Sequence, residues 1–169
     1  MKKKVTIKLV SDWQLYDILN KTYLTGEARK SVEGYTPELI ASIKASNDDE
    51  QLDQIKFSIK EAIASIKSLM SEYVSADILE SSNGGLDYSD VTLTLLMPSN
   101  FNTASLDSIS RLCHRYITCK AVGDWFSITS PREAESYRAS IPEVLAELRN
   151  SISKRKRPER PNGATDIPE

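Results

Sequence analysis

The chain has 169 residues, 40% of them hydrophobic and 27% charged, with a formal net charge of −2. That is the length of about one domain of roughly 150 residues, and the balance of apolar to charged residues excludes wholesale disorder. Two cysteines exclude a disulfide framework, no apolar run approaches the roughly 18 residues of a membrane-spanning helix, and the near-neutral bulk charge does not indicate nucleic acid.

Only 6 Gly and 7 Pro interrupt the chain, which favours long helices. The start, Met1-Lys2-Lys3-Lys4, is basic, but no apolar stretch of leader type follows, so a secretory signal is not expected. Val5, Ile7 and Leu9 then alternate with Thr6, Lys8 and Val10, predicting a half-buried strand over about 4–10. Ser11 or Asp12 can cap a helix carrying Trp13, Leu15, Tyr16, Ile18, Leu19 and Tyr23, a face broad enough to predict deep burial. Gly26 and Gly34 bracket its loose end.

Thr36-Pro37-Glu38 reads as a cap, a proline at the first helical position and an acid in the first turn, predicting a short helix from Pro37 to about Ala45. Asn47-Asp48-Asp49-Glu50 starts the next helix, predicted to reach about Val74. Its Leu52, Ile55, Ile59, Ala62, Ile66, Leu69 and Tyr73 step alternately by three and four, a heptad seam, and Ile63 and Met70 widen it. Such a widened stripe suits a bundle with two neighbours. Phe57 lies on the opposite side, covered either by this chain or by a partner subunit.

Ser82-Asn83-Gly84-Gly85 is a turn signal, and a second strand is predicted over 88–97, ended by Pro98 and paired with the first. Two strands alone are marginal, so helices or another chain must cover them. Asn102 or Thr103 opens a helix with Leu106, Ile109, Leu112, Cys113, Tyr116, Ile117 and Val122 inward. Gly123 is expected to end or bend it, before an apolar knot of Trp125, Phe126 and Ile128. Ser130-Pro131-Arg132-Glu133 has capping-box spacing ahead of a helix with Ala134, Tyr137, Ile141, Leu145, Leu148 and Ile152. Pro142 should kink that helix or restart it, and Ser140 and Glu143 are spaced for a restart. The expected fold is mainly α: a helical bundle with one long heptad-patterned helix and a small two-stranded β element.

Residues 1–153 read as one domain and 154–169 as a basic, extended tail. From Lys154 onward there are 5 basic and 3 acidic residues, whereas Ser68 to Ser110 holds no Lys or Arg, so charge is polarised between tail and middle. Lys154, Arg155, Lys156, Arg157 and Arg160 are candidate partner-binding residues, with Phe57 as a further one. No aromatic interleaves the cations for base stacking, so an acidic protein partner is favoured over DNA.

Catalytic chemistry is not expected. His114 is the only histidine, and Cys113, His114 and Cys119 on one helix do not converge on a metal. Adjacent helical residues point about 100° apart, which makes Cys113 and His114 a poor nucleophile–base pair. Asn83-Gly84-Gly85 lacks the Lys-Ser/Thr of a phosphate loop, Asp48-Asp49-Glu50 suits a helix start, and Asp77, Glu80, Asp87 and Asp90 read as a solvated face. No catalytic residue, metal or cofactor is assigned.

From Asn102 to Arg160, the sequences Arg115-Tyr116-Ile117, Asp124-Trp125-Phe126, Pro131-Arg132-Glu133-Ala134 with Tyr137, Leu145 and Leu148, and Arg155-Lys156-Arg157-Pro158 carry a likeness. This third of the chain resembles small virion proteins of tailed phages and prophages, particularly of gut Bacteroidetes. The rest resembles helical head–tail connector proteins more loosely. The predicted strand over 88–97 departs from that pattern and leaves room for another neck protein, such as a tail terminator. The resemblance implies a non-enzymatic structural subunit made in the bacterial cytoplasm and placed in the virion. It would form a homo-oligomeric ring and dock through its C-terminal arm on a portal or another neck or tail protein, with no membrane contact. The alternative is a small regulatory or nucleic-acid-binding protein that uses the basic tail.

Overall fold

The computed structural model describes residues 2–74 and 90–157. In chain order these form β1 (Lys3–Leu9), α1 (Ser11–Arg29), α2 (Pro37–Ile43), α3 (Asp49–Leu69), β2 (Val91–Met97), a 3-10 turn at Thr103–Ser105, α4 (Leu106–Thr129) and α5 (Pro131–Ser153). The fold is mainly α with one small antiparallel sheet, as the periodicities predict.

The two strands pair from Lys3↔Met97 to Leu9↔Val91. Val5, Ile7, Leu9, Leu93, Leu95 and Met97 face the core, while Lys4, Thr6 and Lys8 face outward. Each buried aliphatic contributes about 1.5–3 kcal/mol, which is what lets so small a sheet persist against the helices. The second strand begins at Val91, while Tyr88, Ser89 and the turn signal at Ser82–Gly85 lie outside the described residues. Asp90, just before it, takes the Ser11 N–H on Oδ1 at 2.9 Å. That contact serves the start of α1, whose N-cap position belongs to Val10 rather than to Ser11 or Asp12.

α4 is the centre of the molecule and touches every other helix and β1. Its buried residues include Ile109, Leu112, Cys113, Tyr116, Ile117, Val122, Trp125 and Phe126. Gly123 neither ends nor bends it out of helix. A Cβ there would sit 3.6 Å from Arg138 Cγ and Tyr137 Cβ, so the small residue lets α5 lie close. Trp125 and Phe126 are therefore the last turns of α4, not a separate knot, and Ile128 is exposed. The buried Trp125 Nε1–H donates to the Ile43 carbonyl at 2.8 Å, which ties α2 to α4.

On α3, Ile55, Ile59, Ala62, Ile63 and Ile66 are buried, as the heptad requires, with Leu52 and Leu69 half-buried at its ends. The helix stops at Leu69, short of the expected end near Val74. Tyr73 and Val74 are captured by the edge of β2 instead: Val74 bridges Leu95, and the Tyr73 carbonyl accepts the Leu96 N–H at 2.6 Å. α2 follows its sequence signals, with the Thr36 side chain accepting the Leu39 N–H.

α5 runs unbroken through Pro142, and Ser140 does not restart it. Ser140 Oγ–H instead donates to the Tyr137 carbonyl at 2.8 Å. A proline inside a helix forfeits one backbone bond and costs about 3 kcal/mol. Burial of Ala134, Val144, Leu148 and Ile152 in the extensive α4–α5 contact offsets that cost. The capping box at Ser130 does not form either, because the Glu133 side chain is engaged elsewhere.

Candidate functional site

The nucleophilic residues sit in packing positions. Cys113 is fully buried, and loss of solvation pushes its thiol up to about 12, far from a reactive thiolate. Cys119 is buried, with its Sγ 3.4 Å from Ser140 Oγ. His114 faces Asp17, with Nε2 and Oδ2 3.3 Å apart. The same carboxylate takes Lys21 Nζ at 2.7 Å and Thr118 Oγ1 at 3.0 Å, so it fastens α1 to α4. Burial pulls the Asp17 carboxyl upward, but Lys21, Thr118 and His114 outweigh it and leave it below its ordinary value. Among the described residues, no group of three or more His, Cys, Asp and Glu side chains is placed to hold a metal.

A second polar cluster was hidden by its capping-box spacing. Glu133, at the start of α5, is buried and receives Arg29 Nε and Nη2 at 2.8 and 2.9 Å and the Tyr35 hydroxyl at 2.5 Å. Arg29 ends α1, and Tyr35 lies in the segment after it, so the cluster closes the α1–α2 connection onto α5. The paired Arg29 donors hold the Glu133 carboxyl below the usual carboxylate range, and the same carboxylate pushes the Tyr35 hydroxyl up. Every acceptor oxygen is used within the chain, which makes this a structural clamp.

The most informative surface is α1. Its predicted burial holds for Ile18, and in part for Leu15 and Leu19, but fails at the aromatics. Trp13 is 71% exposed, Tyr16 68% and Tyr23 50%, with Leu24 beside them at 54%. At about 100° per residue these four project within one sector, a stripe about 17 Å long. The face turned inward is Ser11, Gln14, Ile18, Thr22 and Gly26, with Leu15 and Leu19 beside it. Close approach decides the choice. Thr22 Oγ1 accepts the Ala45 N–H at 3.2 Å, and a Cβ on Gly26 would fall 2.6 Å from Lys44 Cγ. A helix that must pass this near to the end of α2 presents small residues there, and the aromatics are left on the opposite side. The four-residue spacing of Gln14, Ile18, Thr22 and Gly26 was the available signal, masked by the greater hydrophobicity of the other face. Trp13 and Gln14 also border a hollow of about 350 Å³ with Lys8, Arg111 and His114, and Gln14 Nε2 is buried with no hydrogen-bond partner among the described residues.

Phe57 is exposed, on the side of α3 away from the buried seam. The basic tail begins as a fixed strand rather than a free arm. Asn102 N–H donates to the Lys154 carbonyl at 3.2 Å, Arg155 bridges Phe101, and Lys156 N–H donates to the Asn100 carbonyl at 2.7 Å. Lys154, Arg155, Lys156 and Arg157 are all exposed, and Arg160 lies outside the described residues. The structure thus separates Phe57, the α1 stripe and the tail onto different elements. No protein-family model, curated protein or solved structure matches this chain.

Proposed function

We propose that this chain is a non-enzymatic assembly subunit, a ring-forming virion neck protein of the head–tail connector type whose C-terminal arm reaches a partner beyond the ring. The observation that carries the assembly reading is the outward stripe of Trp13, Tyr16, Tyr23 and Leu24. Large aromatics aligned on one rigid helix are what stable interfaces use as anchors, because they bury much area for little side-chain entropy. The buried Cys113 and the internally satisfied Asp17 and Glu133 clusters support a role in binding rather than catalysis. The position in a virion neck rests on the resemblance of the segment from Asn102 to Arg160.

Native mass spectrometry over a range of protein concentrations tests this reading. The expected result is a closed oligomer of fixed stoichiometry that dissociates in the Trp13→Ser/Tyr16→Ser variant without loss of helical signal. A monomer at every concentration refutes it.

A further inference from the structure

Two lysine- and arginine-rich segments about 150 positions apart in the sequence meet at one corner of the fold. Lys3 pairs with Met97 at the end of β2, and Lys2 borders a hollow formed with Pro98 and Ser99. The next residue, Asn100, holds Lys156 through its carbonyl, and Phe101 bridges Arg155. Phe101 N–H donates to the Pro98 carbonyl at 2.9 Å, so the segment between the two attachments is a closed turn. Counting one strand pairing, one peptide step, a turn under about 7 Å and a second pairing, the Cα atoms of Lys3 and Arg155 are within about 22 Å.

None of Lys2, Lys3, Lys4, Lys154, Arg155, Lys156 and Arg157 forms an ion pair among the described residues, and all except Lys3 are exposed. Arg155 Nη1 donates to the Ile152 carbonyl at 3.0 Å, which fixes its guanidinium near the end of α5. Among the described residues, the acid that borders the same hollow as Lys2 is Glu72.

We infer that Lys2, Lys4 and Lys154 to Arg157 form one cationic face that binds the phosphate backbone of a nucleic-acid duplex without reading its sequence; Lys3, half-buried on the core side of β1, is not part of it. Bulk charge hides the site, because the net −2 of the chain is the sum of this face and an acidic remainder. A protein partner is the weaker fit. Protein interfaces concentrate their energy in apolar and aromatic anchors. Among the described residues, the exposed large hydrophobics (Trp13, Tyr16, Tyr23, Leu24, Val32, Phe57 and Ile128) all lie on other segments. Phosphates require only exposed, unpaired cations. Tyr73, beside Lys2, is half-buried, so among the described residues the face has no open aromatic platform of the kind that binds single strands. The inference is independent of the ring reading, since the whole face lies within one subunit, but it makes nucleic acid rather than an acidic protein the partner of the basic arm.

Fluorescence anisotropy of the full chain with a short labelled DNA duplex of scrambled sequence, repeated over a salt series, tests it. Each phosphate contact contributes about −0.9 to the slope of log affinity against log salt, so six contacts set a limit of about −5. The Lys2→Gln/Lys4→Gln variant should flatten the slope by up to about 2, and Lys154→Gln/Arg155→Gln/Lys156→Gln/Arg157→Gln by up to about 4. The Lys2→Arg/Lys4→Arg variant should retain the slope, and Glu72→Gln should tighten binding. A slope unaffected by Lys2→Gln/Lys4→Gln, or a preference among duplex sequences, overturns the composite face. Binding of polyglutamate with no binding of duplex at the same salt overturns the choice of partner. Native mass spectrometry of the same variants reads the ring separately.

Discussion

Replacing Ile59 by Ala probes the central packing of α3. Ile59 is 0% exposed, inside the stripe formed by Ile55, Ala62, Ile63 and Ile66. The substitution removes three carbons, or about 2.4 kcal/mol of transfer free energy at ~0.8 kcal/mol each. α3 packs along α4, whose buried face is fixed in turn by α5, so the site cannot fully collapse. The cavity left behind raises the expected loss to about 3–4 kcal/mol, within the 2–5 range of such changes. Phe57 is on the same helix two residues earlier but is 53% exposed, and Phe57→Ala should cost below about 1 kcal/mol. Urea unfolding at fixed protein concentration measures both, with an unchanged slope against denaturant as the sign that only stability has moved. A loss under about 1 kcal/mol for Ile59→Ala, or an equal loss for Phe57→Ala, refutes the assignment of the buried face.

The Glu133 clamp gives a pH prediction. Its carboxyl and that of Asp17 are depressed in the fold, so their stabilisation is present above the ordinary carboxylate values near about 4 and is lost as pH falls through the lower folded values. Glu133→Gln should cost about 1–3 kcal/mol at neutral pH, less than a fully buried pair because Arg29 is 36% exposed, and should flatten the acid limb of urea midpoint against pH. An acid limb identical to that of the parent chain counts against the clamp. Both cysteines are buried, and the Cys113 thiol stands at about 12, so neither should react with a disulfide reagent at neutral pH until the chain is unfolded in denaturant. Prompt reaction of the native protein refutes their placement.

Local patterns sufficed where a residue's fate depends on its chain neighbours. The alternation of Val5, Ile7 and Leu9 set one strand and its inner face, and Leu93, Leu95 and Met97 set the other. The three–four spacing of Ile55, Ile59, Ala62 and Ile66 set the buried side of α3, and Thr36-Pro37 set the start of α2. The sequence could not rank two faces of α1, because hydrophobicity records what a side chain prefers and not what space its neighbours leave. Close packing at Thr22 and Gly26 against the end of α2 turned Trp13, Tyr16 and Tyr23 outward. Glu133 had a local partner within reach at its own helix start and took Arg29 and Tyr35 instead, since two charge-assisted bonds and a hydroxyl outweigh one cap. Pro142 was tolerated for a tertiary reason too, as burial along α5 exceeds the cost of one lost backbone bond. The cationic corner is the furthest of these from the sequence. Lys2–Lys4 and Lys154–Arg157 become neighbours only because two separate pairings attach them to either side of the turn after β2, and pairing partners so remote in the chain are a property of the fold.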